Sequence, residues 1–559
     1  MRVLGLAGFH RDAAAALLVD GAFVAASEER WFVRGAAAAD LPLRAARSCL
    51  ERGGVAARDL DAVVYHEKPL RRFERELVAQ LQAFPRSAGT FHRALSTWLG
   101  ERLWLKTRLV QELGVAPERI AFVEKLSAHA AAAFHSAPFE EAALLVLDDG
   151  EWATALLGRA DARGVVALAE LHAPHSLLRW RAAFLQLLDL GSDSDGDELG
   201  ALAEAGTPRF ESAVAATLPE LQDGAFALDP ALFRGAFDDE RLFAPALAAR
   251  FVVARRDPDL AASVQRVFEA RVLALVRRLH ALAPVDALCF SGAGARDRGL
   301  VARIVAEGPF ARVHVPASLG EPASALGAAL EFAAAAAPPG APRGPRLDHA
   351  RLGDRIGDAP EPGARELGDA TASREEIARR LAAGELVGWA HGPLEFGVHG
   401  LAHRVVLADA RGADAGRRLL DALQQGEPFL PCRLAVPREQ AAEWLALPEG
   451  CASALRHGRI VVAARPPLAR VAPSLVGPAG RAWPQCVDAD DEPELHALLL
   501  DFGERTGAPL LALADLRLRG RPLVRGEADA VATFGRSRLD ALVVATRLYV
   551  RPSAAAPSR

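Results

Sequence analysis

The stretch EKLSAHAAAAFHSAPFEEAALLVLDDGEWAT, residues 124–154, decides how the chain folds. Its first half is alanine-rich and reads as helix. Its second half carries an unbroken apolar run, residues 142–147, that ends on the acidic pair Asp148 and Asp149. An apolar run of that length reads as a buried strand, which marks an α/β protein. Residues four apart share a helical face, so Lys125 and His129 project to one side. The strand presents its acidic tip at a sheet edge, where α/β proteins place ligands. A His on a helix facing an Asp at a strand end reads either as a metal or phosphate site, or as a core histidine beside a solvated turn.

Towards the N-terminus, residues 3–8 read as a strand. Residues 14–19 and 22–26 read as a hairpin around Asp20-Gly21. Residues 43–53 have helical spacing and end on Gly53-Gly54, and residues 60–65 form another strand. A long amphipathic helical region then runs to about Leu113, with Trp98 and Trp104 on its apolar face as packing residues. Towards the C-terminus, residues 153–158 and 165–171 read as a hairpin and 263–282 as a long helix. Residues 287–291 are a buried strand, followed by a glycine turn at Gly292–Gly294 into a helix from Gly299. No internal repeat is apparent.

From residue 334 to about 365 the composition shifts to Ala, Pro and Gly, which predicts a linker over 336–367 between domains at 1–335 and 368–559. The second domain opens on SREEI, a capping-box pattern at Ser373 and Glu376. It runs through a strand at 386–390 and the segment GPLEFGVHGLAHRVVLAD, and residues after Arg551 read as a frayed tail.

Composition sets outer bounds. A chain of 559 residues is too long for one core and implies two or three domains. A formal charge of −5, with no basic block interleaved with aromatics, argues against nucleic acid. The cysteines Cys49, Cys289, Cys432, Cys451 and Cys486 form no CxxC pair, which disfavours a zinc site or a disulfide framework. No leader or membrane-length apolar span is visible, so the expectation is a soluble, cytoplasmic protein with no membrane partner. The abundance of Ala and Arg reads as a GC-rich genome.

The order of segments resembles the O-carbamoyltransferase family of antibiotic, nodulation-factor and toxin biosynthesis. GFHRDAAAALLVDGAFVAASEER, YHEKPLRRFERELVAQL, LWLK, FHSAPFEEAALLVLDDGEWAT, EGPFARVHVPASLGEPASALGAAL and GPLEFGVHGLAHRVVLADAR follow in that family's order. The resemblance implies an ASKHA/actin-like ATPase-type N-terminal domain with two sheet-based lobes. It also implies a smaller C-terminal domain similar to threonylcarbamoyl-adenylate synthases. The implied activity makes carbamoyl adenylate from carbamoyl phosphate and ATP, then passes the carbamoyl group to a hydroxyl of a small-molecule secondary metabolite.

By the same resemblance His10, Asp12, Glu395 and Arg404 are catalytic. Gly292, Gly294, Asp297 and His399 face the nucleotide, and His129, Asp148 and Glu321 hold a divalent metal, iron or zinc. The chain departs from the pattern at several of these points. Lys125 stands where the family has the first of two histidines, and a protonated lysine has no lone pair for a metal. The expectation is that Lys125 pairs with Asp148 in place of the metal charge. GDELGAL at residues 196–202 lacks the family's basic residue, and SDSDGDE beside it reads as a solvated acidic turn rather than a calcium loop. Ala36 and Ala37 replace a Lys-His pair, and GAGARD at 292–297 replaces GGVALN. In the second domain His399 and His403 replace an Arg and an Asn, Asp421 and Gln424 or Gln425 replace an Asn and a Lys, and LADLR at 513–517 replaces NTSFN. These losses imply an eroded transferase site. The alternative is a catalytically inactive or repurposed homologue that binds a paralogous protein partner.

Overall fold

The computed structural model describes all residues except 11, 34–38, 150–151, 191–196, 220–225, 236, 339–343, 358–359, 398, 426–431 and 552–559, and the side chain of residue 197. Ala36 and Ala37, most of the SDSDGDE run and the tail after Arg551 lie outside the described residues. Packing divides the chain into two units. The first comprises Met1–His349 with Pro448–Ala454, and the second Ala350–Leu447 with Leu455–Arg559.

The first unit has two five-stranded sheets among the described residues. One contains β1 (Arg2–Ala7), β2 (Ala14–Val19), β3 (Ala22–Glu28), β4 (Ala62–Tyr65) and β5 (Ile120–Phe122) in the order β3-β2-β1-β4-β5. The hairpin turn expected at Asp20-Gly21 is there, with φ of 50° and 85° and antiparallel pairing of β2 with β3. The other contains β6 (Ala142–Leu147), β7 (Ala153–Asp161), β8 (Gly164–His172), β9 (Ala287–Ser291) and β10 (Arg312–His314) in the order β8-β7-β6-β9-β10. In both sheets the first three strands meander antiparallel, and the next two join parallel to the first. The repeat that the sequence does not show is therefore present in the strand order. The two sheet-based lobes are both built, and the class is mixed α/β.

Two alanine-rich helices, Lys125–Ser136 and Glu321–Ala336, lie between the sheets. Ala328, Ala329 and Leu330 of the second pack on Val3, Leu18 and Val64 of the first sheet. Leu126, Ala130, Ala133 and Phe134 of the first pack on Leu144 and Val146 of the second sheet. Between the helices the approach is very close. A Cβ on Gly327 would stand 1.7 Å from the Ala128 carbonyl oxygen, and one on Gly5 of β1 would stand 2.0 Å from that of Ala325. Small residues are thus a packing requirement where the helices meet.

The helical region before Leu113 is broken into Pro69–Gln82, Ala88–Gly100 and Leu105–Leu113. Trp98 is buried and donates to Glu76 at 2.7 Å, whereas Trp104 is exposed and donates to the Leu99 carbonyl. Only the first is the packing residue both were expected to be.

The second unit carries β11 (Arg351–Arg355), β12 (Arg365–Glu366), β13 (Val387–Ala390), β14 (Pro393–Glu395), β15 (Arg404–Asp409) and β16 (Arg433–Pro437). It continues with β17 (Val462–Ala463), β18 (Arg481–Val487), β19 (Leu511–Asp515), β20 (Ala541–Val544) and β21 (Arg547–Val550). Nine strands form one mixed sheet in the order β12-β21-β20-β13-β15-β19-β16-β18-β17, and β11 pairs with β14. The stretch expected as linker thus contributes β11 and β12 to this unit. Its first helix, Ala370–Ala382, starts before SREEI because Asp369 caps it, accepting from Ala372 N at 2.8 Å. Ser373 lies inside that helix, and Glu376 pairs with Arg379 and Arg380 instead of closing a capping box. Among the described residues no helix is long and apolar enough to cross a membrane.

Candidate functional site

In the first unit the carboxyl ends of parallel strands meet the N-termini of the two central helices. β1 runs into His10, β4 into His66 and Glu67, β6 into Asp148 and Asp149, and β9 into Gly292. The helices begin at Lys125 and Glu321. A lysine at the first position of a helix opposes the helix dipole, so it needs anions nearby. It has them. Lys125 Nζ lies 2.6 Å from Glu321 Oε1, 3.1 Å from Asp148 Oδ1 and 3.4 Å from the Asp149 carbonyl oxygen. Burial favours the neutral amine, but Asp148 and Glu321 outweigh it and raise the Lys125 pKa.

Three imidazoles surround this centre. His66 Nε2 accepts from Gly8 N at 3.3 Å, so Nδ1 carries the proton and donates to Ser324 Oγ at 2.9 Å, with Glu321 Oε2 at 3.2 Å. Arg72 can only donate, so His10 Nε2 accepts from it at 3.3 Å and the other ring nitrogen faces Glu321 Oε1 at 3.7 Å. His129 Nε2 lies 3.4 Å from Asp148 Oδ2, and among the described residues neither of its ring nitrogens has a hydrogen-bond partner. Burial lowers His10 and His129 to about 4 and lowers His66 as well, so all three are neutral at physiological pH. Burial would raise the Glu321 carboxyl, but the imidazoles and Lys125 hold it well below its ordinary value.

Around this core the charges are paired. Glu67 takes both oxygens to Arg72, at 2.7 and 2.6 Å, and those contacts overcome burial to hold its carboxyl at about 2. Asp149 is bound by Arg179 at 2.7 Å, with Arg75 at 3.5 Å. Asp12, expected to be catalytic, is held by Arg30 at 2.9 Å and Arg296 at 3.3 Å.

The donor set does not fit a divalent ion. A metal shared by Asp148, Glu321 and His129 would stand at the ammonium, and a doubly and a singly positive charge ~4 Å apart repel by about 8 kcal/mol at an effective dielectric of 20. Asp148 also spends Oδ2 on Ala293 N and Oδ1 on Asp149 N, both at 2.8 Å. Among the described residues no group of three or more His, Cys, Asp or Glu side chains is arranged to hold a metal. His129, Asp148 and Glu321, the ligand set that the resemblance implies, stand here as a charged cluster around Lys125.

The glycine turn is likewise explained by packing. A Cβ on Gly292 (φ 82°) would stand 2.3 Å from the Leu147 carbonyl oxygen, and one on Gly294 would stand 2.7 Å from the Leu147 side chain. Asp297 caps the helix Arg298–Glu307, accepting from Leu300 N at 2.9 Å, and is held by Gln265 at 2.8 Å and Arg181 at 3.1 Å. Its carboxylate is buried among these partners.

In the second unit Arg404 is fully buried. Its guanidinium donates to the backbone carbonyls of His391 at 2.6 Å, His403 at 2.8 Å and Val524 at 3.1 Å, with Gly392, Asp354 and Arg525 at 3.4–3.5 Å. Burial lowers its pKa to about 10. Arg404, expected to be catalytic, cross-braces these loops. Glu395 similarly accepts from Ala402 N and His403 N, at 2.8 and 2.6 Å.

His399 meets Asp515 at 3.0 Å. Asp515 also accepts from Gly400 N at 3.1 Å and from Arg433 at 3.0 Å, with Arg517 at 3.1 Å. Burial would raise its carboxyl, but His399, Arg517 and Arg433 depress it. His399 Nδ1 therefore donates to a carboxylate, and burial holds its ring neutral, with a pKa of about 4. His403 contacts Pro393 O at 2.7 Å and Glu492 at 3.1 Å through its two ring nitrogens. Both contacts require N–H donors, and although burial opposes it the His403 pKa is raised. Gln425 donates to the Arg517 carbonyl at 2.7 Å and Gln424 to that of Arg536 at 3.1 Å.

Sequence reasoning assigned no role to His66, Arg72, Arg296, Arg433, Glu492 or Asp515. His66 was within reach, since it follows a strand just as Asp148 does. The others are set by contacts far apart in the chain.

Known proteins place these features in context. A family model described as the carbamoyltransferase N-terminus matches residues 2–330, and one described as the carbamoyltransferase C-terminus matches residues 378–551. An uncharacterized protein of Synechocystis sp. is 30% identical over 606 residues, covering 100% of this chain and 97% of that protein. Nodulation protein NolNO of Sinorhizobium fredii is 29% identical over 568 residues, covering 98% of this chain and 80% of NolNO. Among solved structures, component A of (R)-2-hydroxyglutaryl-CoA dehydratase from Acidaminococcus fermentans aligns with a TM-score of 0.33 and 14% identity, covering 60% of this chain and 99% of that one. HypF from T. kodakarensis aligns with a TM-score of 0.29 and 11% identity, covering 60% of this chain and 48% of that one.

Proposed function

The chain belongs to the carbamoyltransferase family, and on that premise we propose that it transfers a carbamoyl group to a hydroxyl of a small molecule of secondary metabolism. The donor is carbamoyl phosphate, activated by ATP as carbamoyl adenylate. The observation that carries the reading is the convergence at the strand ends of the first unit of His10 and His66 on Glu321, at 3.7 and 3.2 Å, with His129 beside Asp148.

Removal of a hydroxyl proton needs a base that is unprotonated at physiological pH. His10 meets that need and retains some exposure, whereas His66 and His129 have none. Its Nε2, which now accepts from Arg72, would take the proton of the acceptor hydroxyl. Glu321, facing the other ring nitrogen, would stabilise the resulting imidazolium. Arg72 would stay close enough to orient a carbonyl or phosphate oxygen.

Purified protein mixed with carbamoyl phosphate and ATP is expected to release pyrophosphate. His10→Ala is expected to leave that release intact and to lower transfer to an added hydroxyl acceptor by about 10²-fold or more. No pyrophosphate from folded protein would contradict the proposal. That result would favour a second reading, a binding subunit that serves an active paralogue. The burial of Arg404 among backbone carbonyls supports this alternative, because it takes a cation away from any triphosphate.

A further inference from the structure

Four side chains from three elements converge on one point in the first unit. Lys125 and His129 come from one helix, Asp148 from the end of β6, and Glu321 from the start of the second central helix. The two carboxylates aim at the ammonium, at 3.1 and 2.6 Å, while His129 Nε2 stands 3.4 Å from Asp148. His129 is fully buried, yet among the described residues neither of its ring nitrogens has a hydrogen-bond partner. A buried imidazole without a partner is costly, and an ion held by the same two carboxylates would relieve it. Two carboxylates and an imidazole at these separations are the donor chemistry of a divalent metal site with its centre filled.

We propose that Lys125 is the resident cation of this site, a covalently fixed substitute for a divalent metal ion, and that His129, Asp148 and Glu321 do not hold one while the ammonium stands between them. The ammonium supplies positive charge but no coordination position, because it has donors and no lone pair. The substitution makes the site's charge balance independent of metal supply. It also ties Asp148 and Glu321 together whether or not substrate is present. The inference does not depend on the transfer reading, since it concerns what occupies this point and not which reaction follows.

The test is metal analysis of the full chain. Wild-type protein incubated with excess Co(II) and desalted is expected to retain no stoichiometric ion, and chelator is expected to leave its melting temperature unchanged. Lys125→His adds an imidazole one helical turn from His129. It is expected to retain about one Co(II) per chain, with the visible absorption of a tetrahedral site. Adding His129→Ala to that background is expected to abolish the absorption. Lys125→Gln, neutral and close in length, covers the case in which Lys125→His fails to fold, and should retain Co(II) more tightly than wild type. Wild-type protein that holds an equivalent of iron or zinc would overturn the inference. So would a folded Lys125→His or Lys125→Gln chain that takes up no more Co(II) than wild type.

Discussion

Lys125 bears the most weight at the scale of single residues. Asp148 and Glu321 are buried like charges, and the ammonium between them is a main support of their ionisation, beside the imidazoles and the Ala293 N–H. Removing one partner from a buried ion pair costs about 3–5 kcal/mol. Lys125→Met is accordingly expected to lose about that much stability in urea denaturation, and an unchanged midpoint would refute the pairing. Arg404 gives a parallel case, since Arg404→Ala leaves several buried carbonyls without donors. It is expected to cost at least about 3 kcal/mol, so any loss of activity must be read against its unfolding curve.

The histidines of the second unit separate by sign. The folded pKa of His399, about 4, lies below its ordinary value of 6.5. The unfolded chain therefore binds more protons between those limits, and the His399 contribution is full above pH 6.5 and lost as pH falls towards 4. His403 is raised, so its contribution is full below its ordinary value and lost as pH rises through the folded one. Nitrogen NMR at pH 7 should find His403 with both ring nitrogens protonated and His399 as the neutral Nδ1–H tautomer. Matching protonation of the two rings would contradict the geometry.

At the scale of elements, the two central helices depend on absent side chains. Gly327→Ala would drive a methyl into the Ala128 carbonyl and is expected to destabilise by about 1–3 kcal/mol or more. Gly89→Ala, in a helix with open space around it, should be neutral or stabilising by up to about 1 kcal/mol. Thermal or urea melts of the pair distinguish close packing from a general intolerance of alanine. Elements of this kind were legible where the signal is local. Residues 142–147 and 287–291 read as strands because they are short, apolar and fully buried, and the hairpin read from its Asp-Gly turn. The helix starting at Ala370 was misplaced because Asp369 and Ser373 offer the same capping chemistry, and only the fold decides which is used. Partners of Lys125 were half legible. Asp148 lies close in sequence, whereas Glu321 is 196 residues away and could be linked to it only through the family resemblance.

For the whole molecule, two lobes of equal strand order bring four strand ends and two helix starts to one place, and chemistry gathers there because backbone geometry does. The repeat was invisible in the sequence because topology constrains where strands run, not which apolar side chains they carry. The central claim is that an ammonium holds this place in the protein. X-ray anomalous scattering above the iron and zinc edges, on crystals of the full chain grown without chelator, tests it most directly. The prediction is no anomalous peak near His129, with continuous side-chain density from Lys125 to Glu321. A peak about 2.0–2.1 Å from His129 Nε2, with the Lys125 side chain displaced from Asp148, would contradict it.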